Sequence, residues 1–217
     1  MDGLTTWNAG EDFPSLGIGH FIWYPAGQHG PFAESWPSFV TYAGKQGVKL
    51  PAIAYQKDAP WRSKAEFQQQ FRGREMTELR NWLSRNVMLQ TDFIIARSRS
   101  ALPKILAAAP ATSRARVQAN YAKVATTTNG TYALIDYVNF KGDGTQTAER
   151  YKGQGWGLLQ VLEGMKEVPA GQPAATEFST SAKRALDRRI ANSPAARGES
   201  RWRAGWHNRC ATYAQPL

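Results

Sequence analysis

The spacing of apolar positions changes near residue 30 of this chain. Over Leu16–Trp23 apolar residues alternate with glycine or polar ones, in a segment rich in glycine, aromatics and proline. A period of two belongs to a strand, so this stretch predicts a small β-hairpin or extended ribbon. After Pro31 the pattern turns helical. Ser63-Lys64-Ala65-Glu66 has the form of a capping box, in which a serine oxygen covers an orphan amide and the glutamate reaches back. Phe67, Phe71, Leu79, Trp82 and Leu83 then fall near one helical stripe, which Gly73 interrupts. Further helices are predicted at about 88–108, 113–126, 130–141, 174–192 and 199–213, with Pro103 breaking or kinking the first of them. "AAAPATS" and "VPAGQPAAT" read as turns, and no internal repeat or low-complexity tail is visible. The expected fold class is therefore mainly α, a single domain over 1–217 with a small β element at its N-terminal end.

Composition narrows the partners more than the fold. A length of 217 residues suffices for a proper core without staples. The lone cysteine, Cys210, excludes an internal disulfide framework and a multi-cysteine zinc site. No apolar run reaches membrane-spanning length, and the N-terminus has neither the basic nor the apolar region of a signal peptide. The compartment stays open. A formal charge of +10 asks for an anionic partner: nucleic acid, a membrane surface or an acidic polysaccharide. Eight tryptophans sharpen that choice, because aromatic faces stack on sugar rings and bases, although most such residues in any protein are core.

Candidate chemistry concentrates in "GEDFPSLGIGHF", which offers Glu11, Asp12, Ser15 and His20 within ten residues. Gly17 and Gly19 permit close backbone approach by a partner chain or ligand. In an alternating strand Ser15, Gly17 and Gly19 share one face, and Leu16, Ile18 and His20 the other; an imidazole there is either a core histidine or a cleft residue. Further on, Asp136 and Asn139 lie three apart on a predicted helix and so face one way. "ERYKGQGWG" places Glu149, Tyr151, Gln154 and Trp156 in a glycine-rich loop, a mixture that suits sugar hydroxyls above an aromatic floor and equally suits a plain surface loop. His20, His29 and His207 lack ligand-like spacing, no phosphate-cradling Gly-Lys-Ser/Thr loop occurs, and neither a metal nor a cofactor is expected. "KRALDRRI" and "RWRAGWHNR" are basic and aromatic, as nucleic-acid surfaces are and as solvated helix faces are.

Ser15-Leu16-Gly17-Ile18-Gly19-His20 resembles the Thr/Ser-x-Gly-x-Gly-His hairpin of phage-type lysozymes, and "YALIDYVNFKGDG" (132–144) is similar to a later helix of that family. "GWHNR" with "RRI" and Glu199 looks like its arginine-rich C-terminus, and "GWGLLQVL" faintly resembles a lytic-transglycosylase signature. The chitosanase branch has a similar hairpin, and the chain as a whole looks like an outlying bacterial group of the lysozyme-like superfamily. The resemblance implies a lysozyme-like helical domain whose hairpin lines a sugar cleft, cutting a β-1,4-linked amino-sugar polymer. Positive charge favours anionic peptidoglycan over cationic chitosan. It also implies a glutamate-bearing helix ahead of the hairpin, so either Glu11 supplies the general acid or the acid lies upstream of Met1. Ser15 would hold water or a substrate hydroxyl and His20 would support the hairpin. Asp12, Asp136, Asn139, Glu149, Tyr151, Gln154 and Trp156 would contact substrate. The cell envelope or periplasm is the implied location. Two alternatives stand beside the glycosidase: a non-catalytic glycan-binding module, and a basic nucleic-acid-binding protein.

Overall fold

The computed structural model describes residues 1–30 and 32–216. It is mainly helical, with 60% of residues in helices and 6% in strands, as the periodicity predicts. The chain forms two compact units, Met1–Ile95 and Ala96–Leu217, each with a hydrophobic core of its own.

In the first unit the strands β1 (Thr5–Thr6), β2 (Ser15–Leu16) and β3 (Phe21–Ile22) form an antiparallel sheet in that order. Ser15 pairs with both Thr6 and Ile22, and Leu16 with Thr5 and Phe21. The predicted hairpin is present, but the alternation stops at Leu16. Gly17 to His20 make its turn, with Gly17 at φ +72° and His20 at φ +48°. The His20 side chain is therefore exposed on a left-handed turn residue rather than sharing an apolar face with Leu16. The close approach that Gly17 permits is taken by the chain itself. Ile18 N–H donates to Gln90 Oε1 at 2.9 Å, and a Cβ on Gly17 would lie 2.2 Å from that oxygen. The Gln90 amide nitrogen donates in turn to the Leu83 and Asn86 carbonyls at 2.7 and 3.1 Å. Gly19 likewise makes room for the Phe21 ring, 2.2 Å from where its Cβ would stand.

Around this sheet pack helices α1 (Trp36–Lys45), α2 (Lys64–Gln69) and α3 (Arg74–Arg85) and the start of α4 (Val87–Ala108). Phe21 stacks on Phe39 at 4.8 Å and meets Phe93 edge-on at 5.4 Å, while Trp23 stacks on Trp36 and meets Trp61 edge-on. The predicted capping serine is in place, Ser63 Oγ accepting from Glu66 N–H. Glu66 reaches one residue further back than a capping box requires, to Arg62 N–H at 2.8 Å. Gly73 separates α2 from α3 and serves as the N-cap of α3, so the striped segment is two helices. Buried Arg80 ties α3 to β1, its Nε donating to Thr5 Oγ1 at 3.1 Å and its guanidinium lying 4.2 Å over the Phe71 ring.

The second unit is helical around α8 (Gln172–Asn192), which packs against α5 (Ala111–Val124), α6 (Thr128–Lys141), α7 (Leu158–Gly164) and α9 (Arg203–Thr212). The predicted helices all appear, with ends shifted by a residue or two, except that Glu199–Trp202 is a 3-10 turn leading into α9. Pro103 does not break α4, which continues to Ala108. Arg99, whose carbonyl the missing N–H would have served, is exposed, so water can take that bond. The expected loop at 149–157 contains instead a tight hairpin, β4 (Arg150–Tyr151) paired with β5 (Gln154–Gly155). Its two turn residues, Lys152 at φ +50° and Gly153 at φ +76°, have the left-handed pair that a two-residue type I′ turn demands.

The dependence of the hairpin on Gln90 is measurable. Gln90→Met removes the acceptor and leaves Ile18 N–H without its partner, a loss of about 1–3 kcal/mol. It should appear as a lower urea midpoint at unchanged slope, and Gly17→Ala should cost at least as much through its positive φ and the Gln90 clash. Midpoints equal to wild type would remove Gln90 from this role.

Candidate functional site

The ten residues singled out by the sequence divide by unit: Glu11, Asp12, Ser15 and His20 lie in the first, the other six in the second. Glu11 and Asp12 sit in the connection between β1 and β2. Trp7 Nε1 donates to the Glu11 carbonyl at 2.7 Å, which fixes the backbone, and Asn8 Nδ2 donates to Glu11 Oε2 at 3.0 Å, which orients the carboxylate. Glu11 is half-buried, whereas Asp12 is exposed. Ser15, four residues on, is 5% exposed within β2. The β1–β2 connection therefore carries one carboxylate, that of Glu11, oriented by a neighbouring side chain.

In the second unit five of the six predicted residues are buried or half-buried. Asp136 on α6 takes both Arg209 Nε and Nη2, at 2.8 and 2.6 Å, and accepts from Tyr213 Oη at 2.6 Å. Burial and the Asp136 charge raise the Tyr213 pKa, so the phenol stays protonated and donates. Asn139, one turn further along α6, is half-buried. Glu149 is buried, with Oε2 3.0 Å from where a Cβ on Gly142 would stand. Burial lowers the Arg97 pKa, and the nearby carboxylates of Asp143 and Glu149 offset part of that. Trp156 is 1% exposed, its carbonyl accepting from Tyr137 Oη at 2.8 Å and its ring covered by the Arg189 guanidinium at 4.3 Å. Gln154 alone of this group is fully exposed.

Tyr151 leads to a buried ion-pair group around Glu199, a residue noted in the sequence only within the arginine-rich C-terminus and given no role there. Its hydroxyl donates to Glu199 Oε1 at 2.9 Å. Glu199 is 0% exposed and also receives Arg189 Nε and Nη2 at 2.7 and 2.8 Å and Arg197 Nε at 3.2 Å. Burial alone would push the Glu199 carboxyl up, but the hydrogen bonds and charge of Arg189, with Tyr151 and Arg197, outweigh it and hold the pKa below the ordinary value. Arg189 and Lys141 both lie against Trp206, at 4.9 and 3.6 Å from its ring centre. The available signal was a single acid, Glu199, among Arg197, Arg201 and Arg203.

Among the described residues no group of three His, Cys, Asp or Glu is placed to hold a metal ion, and no helix is long and apolar enough to cross a membrane. Cys210 is fully buried, and burial pushes its thiol up to about 12, far from a nucleophilic thiolate.

The first unit also carries an open cleft of about 900 Å³, between α3 and the segment 49–51. Its floor is Leu50, Pro51 and Trp82, and its rim carries Lys49, Arg72, Arg74 and Arg85 against one carboxylate, Glu78. Of these positions the sequence analysis names only Trp82, as part of the apolar helical stripe and not as a site residue. The chain matches no protein-family model, no curated protein and no solved structure.

Two outcomes follow from the second unit. Glu199→Gln leaves Arg189 buried without its counter-charge and should cost about 3–5 kcal/mol at neutral pH. Because the folded Glu199 pKa is depressed, its stabilisation is complete above the unfolded value of about 4.3 and is lost as pH falls through the folded value. Urea midpoints taken from neutral pH downward should therefore converge for the two proteins; a constant gap would exclude Glu199 from the acid transition. Cys210 should resist iodoacetamide in the folded protein and react only on unfolding, which mass spectrometry of the alkylated chain reads directly.

Proposed function

We propose that this chain acts on a β-1,4-linked amino-sugar polymer of the peptidoglycan type, as a lysozyme-like glycosidase. The observation that carries the reading is the hairpin Ser15–Ile22 with a held carboxylate, Glu11, in the strand connection beside it. Glycoside cleavage needs a proton donor at the leaving oxygen and a carboxylate beside the developing oxocarbenium ion. Glu11 is the residue suited to the first task, its orientation supplied by Asn8 and its backbone by Trp7. Ser15 is suited to hold water or a sugar hydroxyl. His20 lies exposed on the turn of the hairpin.

A second reading has its own observation. Asp12 is exposed, while Glu11 is held, and adjacent residues of an extended chain point apart. The two-carboxylate route then lacks its second member, while one carboxylate can still bind a glycan. In that case the protein is a glycan-binding module, with the same partner and no turnover.

Glu11→Gln separates these readings. The glycosidase reading expects wild type to clear a peptidoglycan suspension and the variant to lose about 10²–10⁴-fold in rate with folding preserved. Equal rates in the two proteins would refute the role of Glu11. Retention of wild type on peptidoglycan without clearing, weakened in the variant, would establish the binding module.

A further inference from the structure

The cleft on the first unit has a construction that neither Glu11 nor the hairpin explains. Arg74, Thr77, Glu78, Asn81, Trp82 and Arg85 are spaced by three, one, three, one and three residues, which aligns them on one face of α3. Met76, Leu79, Arg80 and Leu83 occupy the opposite, buried face. A polar stripe of this kind is commonly just a solvated helix surface. Here it faces a cleft of about 900 Å³ with an apolar floor, and Trp82 is fixed there by its Nε1 bond to the Lys49 carbonyl at 2.9 Å. The cations around it are not neutralised equally. Arg72 is paired with Asp2 at 2.9 Å, but Lys49, Arg74 and Arg85 make no ion pair among the described residues.

The geometry points to a binding groove for a strand of acidic polysaccharide, in which Arg74, Arg85 and Lys49 hold carboxylates and Trp82 backs a sugar ring. Arg74 and Arg85 are separated by eleven residues, about 16 Å of helix axis, so they address charges spaced well apart along a polymer. Between them lie Thr77, Glu78 and Asn81. An ionised carboxylate only accepts hydrogen bonds, so Glu78 suits hydroxyl donors and repels a chain with a charge on every unit. A sugar chain with intermittent acid groups satisfies that sequence of cation, acceptor and cation. A nucleic acid, charged at each nucleotide, would bring a phosphate against Glu78. The inference rests on the glycan reading above for its class of polymer, and not on catalysis.

The test compares wild type with Arg74→Gln/Arg85→Gln, both exposed positions, on three supports: purified peptidoglycan, neutral chitin and single-stranded DNA. Near-UV circular dichroism checks that the variant folds, and Lys49→Gln repeats the measurement without altering α3. The expected result is about tenfold or greater weakening on peptidoglycan, the scale for losing charged hydrogen bonds, with a shallower salt dependence between about 50 and 200 mM and unchanged retention on chitin. Equal retention of wild type and both variants on peptidoglycan would overturn the inference. So would tighter binding to DNA than to peptidoglycan, or no binding of wild type to peptidoglycan. Cleavage of a short uncharged amino-sugar oligomer by the same proteins keeps the two readings apart. Failure of the glycosidase reading abolishes turnover everywhere and leaves the salt-dependent retention intact, whereas failure of the groove leaves turnover intact and retention indifferent to the variants.

Discussion

A sheet whose strands are two residues long cannot hold itself together, and the N-terminal sheet depends on the buried carboxamide of Gln90. Isolated hairpins are marginal even at ordinary strand lengths. Gln90 uses one acceptor for Ile18 N–H and its amide nitrogen for two carbonyls at the junction of α3 and α4, so the turn is bonded to the helices rather than merely resting on them. The oxygen can stand there because residue 17 has no Cβ and tolerates φ +72°. Phe21 then enters the aromatic layer of Phe39 and Phe93 and supplies the burial that the ladder lacks. Glu11 and Ser15 inherit their positions from this arrangement. A glycine motif that reads as room for a ligand is, in this fold, room for a glutamine and a phenylalanine.

The second unit applies a different device to the same problem of burying polar groups. Glu199 has no solvent, and its oxygens are occupied by two arginines and a tyrosine, while Arg189 spreads its guanidinium over Trp156 and Trp206. Desolvating such charges is expensive, and the geometry has to be nearly complete to offset it. Here it is complete enough to keep the carboxyl ionised. The same completeness leaves Tyr151 and Trp156 little capacity to serve a ligand. Asp136, closed off by Arg209 and Tyr213, is in the same position. Residue types that suit a sugar also suit an interior of mixed charge and aromatic surface.

Element type was legible from the sequence because period and caps act locally. Thr127 caps α6 through Gly130 N–H, and Ser63 caps α2 through Glu66 N–H, each within three residues of its partner. The hairpin 15–22 was legible for the same reason. What escaped depended on partners far away in sequence. Ile18 and Gln90 are 72 residues apart, Asp136 and Arg209 73, and neither contact leaves a mark in any local window. The β4–β5 hairpin escaped because Lys152, unlike glycine or asparagine, gives no warning of a left-handed turn residue. Pro103 misled in the other direction, since an exposed carbonyl tolerates the loss of its helical partner. Of the candidate site, Glu11 and its neighbours stand out by local spacing, whereas the polar face of α3 does not, because its Trp82 reads with Leu79 and Leu83 as part of the apolar stripe.

Net charge, the strongest single statement of the sequence about partners, has to be divided before it means anything. Arg80, Arg189 and Arg209 are engaged by partners within the fold, a threonine, a carbonyl and Asp2 in the first case and carboxylates in the other two. In the formal +10 the charges of Arg189 and Arg209 are already offset by Glu199 and Asp136, and Arg80 is buried, so none of the three lines the open cleft. Lys49, Arg74 and Arg85 are different in kind, because they stand at the rim of an open cleft with a single carboxylate among them. Cations of that second sort concentrate an anion where the surface is concave, since the low-dielectric walls focus the field. The part of the net charge that an anion can approach in the first unit is thus carried by three or four side chains around this cleft, and a chain of equal net charge with those cations paired internally would lack it.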